Sequence, residues 1–196
     1  MSFDVKMASG ASIIWFFLSQ FSQSTLYGRN GSNACKFIAL MLAKFYFLHK
    51  SALSLSKYMS LLLNWINLFI NGISLGNHIH ESITTGIERY LSVQEVTTPF
   101  LGLITDNVQL EDFFYLSILN ENPMVPRSSL GFYLERLTKE DNLAAVIIMN
   151  GMTISLVGQN NNIIVIDGHL NGQLGAMVGI ISVDKVEELL IFVKQQ

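Results

Sequence analysis

The chain has 196 residues and a formal net charge of −3, which fits one domain with a substantial core. We therefore expect a single domain over residues 1–196. The weak negative charge gives no basic footprint, so nucleic acid is not an expected partner. The single cysteine, Cys35, excludes an internal disulfide and a zinc centre built from several cysteines. It predicts a cytoplasmic or other reducing intracellular compartment, in which a free thiol survives.

Half of the residues are hydrophobic, which raises the question of a membrane-spanning segment. The apolar run within 11–21 is far shorter than the roughly 20 residues that a spanning helix needs. The longer apolar region, 37–73, is interrupted by Lys44, Lys50 and Lys57. Such interruptions are typical of buried amphipathic helices, so a membrane is not an expected partner.

The first elements lead into a central helix. The pattern of 11–23 fits either a short helix or an extended stretch, and the glycine- and asparagine-rich segment 24–34 predicts turns. An apolar helix is expected to begin at Cys35, with Ser32 or Asn33 as its N-cap. Because this helix has little polar surface, we expect it to be buried at the centre of the domain.

Two more helices are predicted in the middle of the chain. The first covers about 54–71 and has one apolar side. Gly72, Gly76 and Asn77 are expected to break the chain after it. The second helix is expected over 80–91, where apolar residues recur at helical spacing.

The last part of the chain carries the strongest β signal. The apolar runs 152–157 and 163–166, joined by the turn residues 158–162, predict a hairpin. Other expectations are a strand-like or irregular segment at 93–106, a helix at 110–119, a loop at 122–129, strands at 130–136, 144–149 and 176–182, and a closing helix at 183–193. Helices first and an antiparallel sheet last indicate the α+β class.

Cys35 stands where a reactive thiol is favoured. The nucleophilic form of cysteine is the thiolate, and a free thiol with a pKa of about 8.5 is only slightly ionised at neutral pH. A helix N-terminus stabilises the thiolate through unpaired N–H groups and aligned peptide dipoles. The small residues of 31–34 let a substrate carbonyl approach the sulfur. The alternative is a buried, inert cysteine with a packing role.

Asp167-Gly168-His169 follows the apolar strand 163–166. On an extended strand, residues two apart leave on the same face, so Asp167 is placed to accept a hydrogen bond from the His169 imidazole. This bond would fix the tautomer and stabilise the charged imidazole. Gly168 is expected to add no side chain that obstructs a substrate strand. The alternative is an Asp-Gly turn that carries a solvated histidine.

These motifs together resemble a known family. Gly28, the run 31–35 leading into an apolar helix, and the strand-borne Asp167-x-His169 resemble the deubiquitinase domain of the herpesvirus large tegument proteins and their non-viral, tegument-like relatives. The resemblance implies a papain-like cysteine protease fold, with a helical N-terminal half and an antiparallel sheet in the C-terminal half.

The resemblance also implies roles for individual residues. Carried over by position, Cys35 is the nucleophile, His169 the general base and Asp167 the residue that orients the base. In the family, a glutamine upstream of the cysteine helps to form the oxyanion hole. Gln23 is favoured for this role by its distance from the cysteine, with Gln20 as the alternative.

The implied activity is that of a cysteine-type deubiquitinase, which hydrolyses the isopeptide bond after the C-terminus of ubiquitin. The implied partner is ubiquitin or a ubiquitin-like modifier, and no cofactor is expected. An exposed apolar patch is needed to bind the globular body of ubiquitin. Residues near Trp65 or Tyr90 are candidates for it, although burial in the core is the more ordinary expectation for each.

Two other functions stay open. One is a non-catalytic ubiquitin-binding or protein-interaction domain on the same scaffold, and the other is a papain-like hydrolase acting on another modifier such as SUMO or NEDD8, or an amidase or acyltransferase. A metal site at His78, His80 and Glu81 is not expected. Residues two apart diverge on a helix, and the spacing of known zinc motifs is absent.

Overall fold

A computed structural model describes residues 4–6, 13–49, 60–85, 87, 89–92, 94–96, 98, 130–140, 143–149, 151–182 and 185. Within these ranges the helices are α1 (Cys35–His49), α2 (Ser60–Thr84) and α3 (Leu130–Lys139), with a short 3₁₀ turn at Leu26–Gly28. The strands are β1 (Asp4–Lys6), β2 (Ile13–Phe16), β3 (Ala144–Met149), β4 (Met152–Gln159), β5 (Asn162–Asp167) and β6 (Met177–Ser182). They form one antiparallel sheet of six strands in the spatial order β1-β2-β6-β5-β4-β3.

Helices cover both faces of this sheet. On β5, Ile164 and Ile166 join a core cluster with residues of α1 and α2, whereas Ile163 and Val165 join a second cluster with α3. Because strand residues alternate between faces, burial on both sides explains the continuous apolar run 163–166. Helices packed on an antiparallel sheet confirm the α+β class.

Helix α1 occupies the centre of the first face, as its composition predicts. One side of it presents buried residues spaced four apart, which line up along a helix. These residues are Ala34 at the helix start, Ile38, Leu42 and Tyr46. Another side, with Phe37 and Met41, packs in a third cluster with Ile79 of α2. The helix is therefore buried nearly all round.

Helix α2 runs from Ser60 to Thr84 without interruption. The predicted break at Gly72, Gly76 and Asn77 is therefore wrong. A Cβ added to Gly76 would lie 2.6 Å from Cγ1 of Ile38 and 2.8 Å from its Cα, and one added to Gly72 would lie 2.6 Å from Leu42 Cδ2. The two glycines let α1 and α2 approach closely, which is a packing role and not a break.

The predicted helix at 80–91 is wrong beyond Thr84. Thr85 has a φ of 53°, the left-handed conformation that commonly follows the last turn of a helix. Ile87 and Tyr90 are 64% and 65% exposed, whereas Leu91 is 3% exposed. The apolar spacing that predicted a helix thus belongs to a segment that leaves α2 and returns to the core.

The predicted strand at 130–136 is also wrong, because this segment is the start of α3. Leu134 and Leu137, three residues apart, are both buried in the cluster on the second face of the sheet. Glu135 forms an ion pair with Lys139 at 2.6 Å, four residues on. Interacting residues in this segment are thus three or four positions apart, which is the spacing of a helix. They do not alternate in the way that predicts a strand.

Other expectations for the sheet hold. The predicted hairpin forms from β4 and β5, joined at Asn160 and Asn161 with φ values of 50° and 60°, which suit a tight hairpin turn. The predicted strands at 144–149 and 176–182 are confirmed as β3 and β6. For 11–23 the structure decides for the extended alternative, since β2 lies there.

The expected helix at 110–119 and loop at 122–129 lie outside the described residues, as does most of 93–106 and of 183–193. None of the helices that the structure describes has the length and apolar character needed to cross a bilayer.

Gly76→Ala is expected to destabilise the protein even though alanine favours helices. Helix propensity alone gives alanine an advantage of about 1 kcal/mol over glycine. The added Cβ would overlap the backbone of Ile38, and overpacking of this kind costs about 1–3 kcal/mol. The free energy of unfolding in urea is the measurement, and a net loss is the expected result.

Gly131 is the matched control, because no described atom lies within 4 Å of its Cβ position on α3. Gly131→Ala should leave the free energy of unfolding unchanged or raise it by up to about 1 kcal/mol. A Gly76→Ala variant more stable than the parent protein would contradict the close contact between α1 and α2.

Candidate active site

The loop before α1 is held in place by α2. The Ser32 hydroxyl donates to Oδ1 of Asn77 at 2.7 Å and accepts from the backbone N–H of Ala34 at 3.2 Å. The N–H of Ile38 donates to the Ala34 carbonyl at 3.0 Å, so Ala34 itself occupies the N-cap position. The predicted N-cap at Ser32 or Asn33 therefore lies too early in the chain.

The thiol of Cys35 lies between the first turn of α1 and the strand β4. Cys35 is 3% exposed. The Thr153 hydroxyl on β4 donates to Cys35 Sγ at 3.3 Å. The sulfur is also 3.9 Å from the carbonyl oxygen of Gly151, in the turn between β3 and β4. The cysteine is buried, as the inert alternative requires, but polar groups surround its sulfur.

Asp167 is the last residue of β5, and His169 lies just beyond the strand. The imidazole Nδ1 is 2.6 Å from Asp167 Oδ1, and the backbone N–H of His169 donates to the same oxygen at 2.8 Å. The expected contact between the Asp167 carboxylate and the His169 imidazole is present. It forms in a turn that the carboxylate stabilises, and not along an extended strand. The His169 and Asp167 side chains are 12% and 3% exposed, so the histidine is not solvated.

The His169 imidazole lies close enough to the Cys35 thiol for each group to shift the pKa of the other. Because Nδ1 is engaged by Asp167, Nε2 is the nitrogen left to face the sulfur. The structure therefore brings Cys35, His169 and Asp167 together, with a hydrogen bond between His169 and Asp167 and an electrostatic interaction between His169 and Cys35, although the thiol and the imidazole are far apart in sequence.

This contact changes the acidity of both groups. Burial alone raises the pKa of Cys35, but hydrogen bonds with His169 and Thr153 and the nearby charges of His169 and Lys36 outweigh burial, and the pKa is lowered. Burial lowers the pKa of His169, but hydrogen bonds and charge interactions with Asp167 and Cys35 raise it to about 9. A lowered thiol pKa beside a raised imidazole pKa favours the thiolate–imidazolium pair at neutral pH.

Gln23 lies against the turn that carries His169. Its backbone N–H donates to the Gly168 carbonyl at 2.6 Å, and Nδ2 of Asn77 donates to its carbonyl at 3.4 Å. Its Oε1 is buried and has no hydrogen-bond partner among the residues that the structure describes. Gln20 is exposed. Of the two predicted glutamines, the structure brings Gln23 to the site and leaves Gln20 outside it.

Gly168 has a packing role. A Cβ there would lie 3.1 Å from Cγ2 of Ile38 and 3.6 Å from Cδ1 of Leu42, both on α1. Gly168 is also buried. The expectation that it keeps a substrate groove clear is therefore corrected, because the missing side chain lets the end of β5 pack against α1.

Sequence reasoning assigned no catalytic or binding role to Thr153 or Asn77, yet both contact this site. Thr153 and Ser155 are polar residues at alternate positions of a buried strand, and Ser155 donates to the Ala39 carbonyl at 2.6 Å. Polar residues on the inward side of an apolar strand are the signal that would have found Thr153. Asn77 was read as a helix breaker, although it is 4% exposed and bonded to the loop before α1.

No group of three or more side chains suited to metal binding occurs among the described residues. His80 is 6% exposed, and its Nε2 is 2.9 Å from the carbonyl oxygen of Arg89. That histidine ties the end of α2 to the segment that follows. His78 is exposed on the same helix.

In comparisons with known proteins, no family model and no curated protein sequence matches this chain. The chemistry of the site is therefore inferred from its own contacts. A thiol beside an imidazole, which is hydrogen-bonded in turn to a carboxylate, can form and hold a thiolate nucleophile. Such an arrangement is suited to acyl transfer.

His169→Asn is expected to raise the pKa of Cys35 above that of the parent protein. The substitution removes a hydrogen bond and a positive charge, and it leaves burial, which disfavours the thiolate. Because the chain has one cysteine, thiolate absorbance in the ultraviolet reports Cys35 alone once a Cys35→Ser variant has corrected for tyrosine.

The matched control is His78→Asn, which alters an exposed histidine on α2. It should leave the absorbance titration unchanged. The same titration midpoint in His169→Asn and in the parent protein would show that the imidazole does not stabilise the thiolate.

Proposed function

We propose that this protein is a papain-like cysteine protease that cleaves the peptide or isopeptide bond after the C-terminus of ubiquitin. The observation that carries the proposal is the placement of the Cys35 thiol beside the His169 imidazole, whose Nδ1 is 2.6 Å from Asp167 Oδ1. The motifs that hold these residues resemble the tegument-type deubiquitinases. An α+β fold with the cysteine at the start of a central helix is compatible with that resemblance.

In the proposed acylation step, the Cys35 thiolate attacks the carbonyl carbon of the terminal glycine and forms a carbon–sulfur bond. The backbone N–H of Cys35 and the side-chain amide of Gln23 donate to the oxyanion. The His169 imidazolium then gives its proton to the amine of the leaving lysine or chain, and the carbon–nitrogen bond breaks. A thioester and a neutral imidazole remain.

In the proposed deacylation step, His169 takes a proton from water, which attacks the thioester carbonyl. The carbon–sulfur bond breaks, the carboxylic acid leaves, and the thiolate–imidazolium pair is restored. Asp167 holds Nδ1 throughout and stabilises the positive charge on the ring. No metal or other cofactor takes part in either step.

The side-chain oxygen of Gln23, which has no hydrogen-bond partner among the described residues, supports the proposed role of Gln23 in the oxyanion hole. A buried polar atom without a partner costs about 1–3 kcal/mol, which a protein tolerates at a functional site. Rotation of the amide by half a turn puts its NH₂ group where the oxygen lies, and that group is a donor. A Gln23 amide with an unused bonding position beside the His169 turn suits an oxyanion hole that fills when substrate binds.

Exposed apolar residues supply the kind of surface that ubiquitin binding requires. Tyr27, in the 3₁₀ turn Leu26–Gly28, is 78% exposed, and Tyr90 is 65% exposed. Arg29 forms an ion pair with Glu81 of α2 at 2.5 Å, which fastens this loop to the helix. Trp65 is 5% exposed, so of the two residues considered for docking only Tyr90 is accessible.

The second candidate function is a non-catalytic ubiquitin-binding domain. The observation that favours it is the 3% exposure of Cys35, since a nucleophile must be reached by its substrate. The Gly151 carbonyl, 3.9 Å from the sulfur, places the turn between β3 and β4 beside the thiol. A catalytic protein must open at this turn, whereas a binding domain has no such need.

A ubiquitin probe with a C-terminal electrophile separates the two functions. We expect it to label Cys35, with the adduct located by mass spectrometry, and the parent protein to cleave ubiquitin conjugates. Cys35→Ala should abolish turnover with an unchanged fold. Asp167→Ala should lower turnover less than His169→Ala, because the imidazole itself carries the proton.

Probes built on SUMO and NEDD8, run in parallel, test the choice of modifier. A Cys35→Ala variant that cleaves ubiquitin conjugates at the parent rate would refute the proposed mechanism. A folded parent protein that binds ubiquitin but is never labelled supports the binding domain.

A further inference from the structure

We propose that the Thr153 hydroxyl is a second catalytic donor to the Cys35 sulfur, which stabilises the thiolate before attack and again when it leaves the thioester. The inference rests on the proposed function and adds a residue to it. Neither the sequence motifs nor the resemblance points to this threonine.

The position of Thr153 follows from the register of the sheet. Strand β4 alternates its side chains between two cores, with Ile154 and Leu156 in the α3 cluster and Val157 in the cluster with α1. Thr153 and Ser155 share the α1 side with Val157, because they are four and two residues away from it, respectively. The first turn of α1 therefore meets the Thr153 hydroxyl on the inward face of β4.

The contact is close and dry. Thr153 Oγ1 is 3.3 Å from Cys35 Sγ, and the two residues are 2% and 3% exposed. A hydrogen bond to an ionised group is stronger than one between neutral groups, and it gains further where water is excluded. The hydrogen bond from the Thr153 hydroxyl is therefore strongest when the sulfur is a thiolate.

The neutral thiol has a poorer partner. Its S–H is a weak donor, and the Gly151 carbonyl oxygen, at 3.9 Å from the sulfur, is farther away than Thr153 Oγ1. On the β4 side of the sulfur, the shorter contact is therefore the one that favours the thiolate. The lowered pKa of Cys35, to which the Thr153 bond contributes, agrees with this preference.

Thr153 differs from His169 in what happens during the reaction. The imidazolium gives its proton to the leaving amine, so its support of the sulfur changes from step to step. A threonine hydroxyl keeps its proton at neutral pH and can donate continuously. When the tetrahedral intermediate of deacylation collapses, the electrons of the carbon–sulfur bond return to the sulfur, and the Thr153 hydroxyl is already in place to donate to the departing thiolate.

Three substitutions test the role. Thr153→Val keeps the shape and removes the donor, Thr153→Ser keeps the donor, and Thr153→Ala removes the donor without adding a methyl group. Ser155→Ala is the matched control, since Ser155 lies on the same face of β4 and bonds the Ala39 carbonyl of α1 at 2.6 Å without touching the sulfur.

We expect Thr153→Val and Thr153→Ala to raise the pKa of Cys35 by about one unit, read from thiolate absorbance. At pH values below the parent pKa of Cys35, the thiolate fraction of these variants is then about tenfold lower than in the parent protein. The rate of labelling by the ubiquitin probe at acidic pH should fall by the same factor. Thr153→Ser should stay near the parent value. Ser155→Ala should lower the melting temperature and leave the thiol titration unchanged.

The outcomes separate this inference from the proposed function. A parent thiol that titrates at the ordinary cysteine value overturns both. A lowered parent pKa that is unchanged in the folded Thr153→Val or Thr153→Ala variant overturns the role of Thr153 and leaves the cysteine–histidine pair intact. If both of these variants fail to fold, a Thr153→Ser variant with a raised thiol pKa overturns the role, and one that keeps the parent value supports it.

Discussion

The packing of α1 against one face of the sheet is the contact on which the site depends. Ile38 and Leu42 of this helix meet the end of β5 at Gly168, where no side chain intervenes. The same helix starts at Cys35, whose sulfur meets Thr153 of β4. Cys35, near the start of the chain, is thereby brought to the turn that carries His169, near its end. Burial fixes the local conformation at both places.

Close packing and charge work against each other at this site. A buried thiolate is costly in an apolar surrounding, since burial raises the pKa of Cys35. The protein offsets that cost with nearby donors and with an imidazole whose own charge is held by Asp167. The negative charges of the Cys35 thiolate and the Asp167 carboxylate and the positive charge of the His169 imidazolium stabilise one another, so the three groups act as a unit. Beside this set, Oε1 of Gln23 is buried without a hydrogen-bond partner among the residues that the structure describes.

The local elements around the site could be read from the sequence, because they depend on short-range patterns. The helix at Cys35, the hairpin of β4 and β5, and the Asp167–His169 contact all follow from nearby residues. Gly76 and Asn77 were misread as a break, because only the approach of α1 shows why a glycine suits a helix interior. Thr153 was missed for the same reason, since its partner lies in a distant part of the chain.

The most direct test of the account is the titration of the four histidines by NMR of their ring nitrogens, with His169 assigned by its loss in His169→Asn. We predict that His169 is protonated at neutral pH and titrates at about 9, well above an ordinary histidine. We also predict that the pKa of His169 falls in Cys35→Ser, where the thiolate is absent. A His169 that titrates near the ordinary value, and is indifferent to Cys35→Ser, would contradict the thiolate–imidazolium pair.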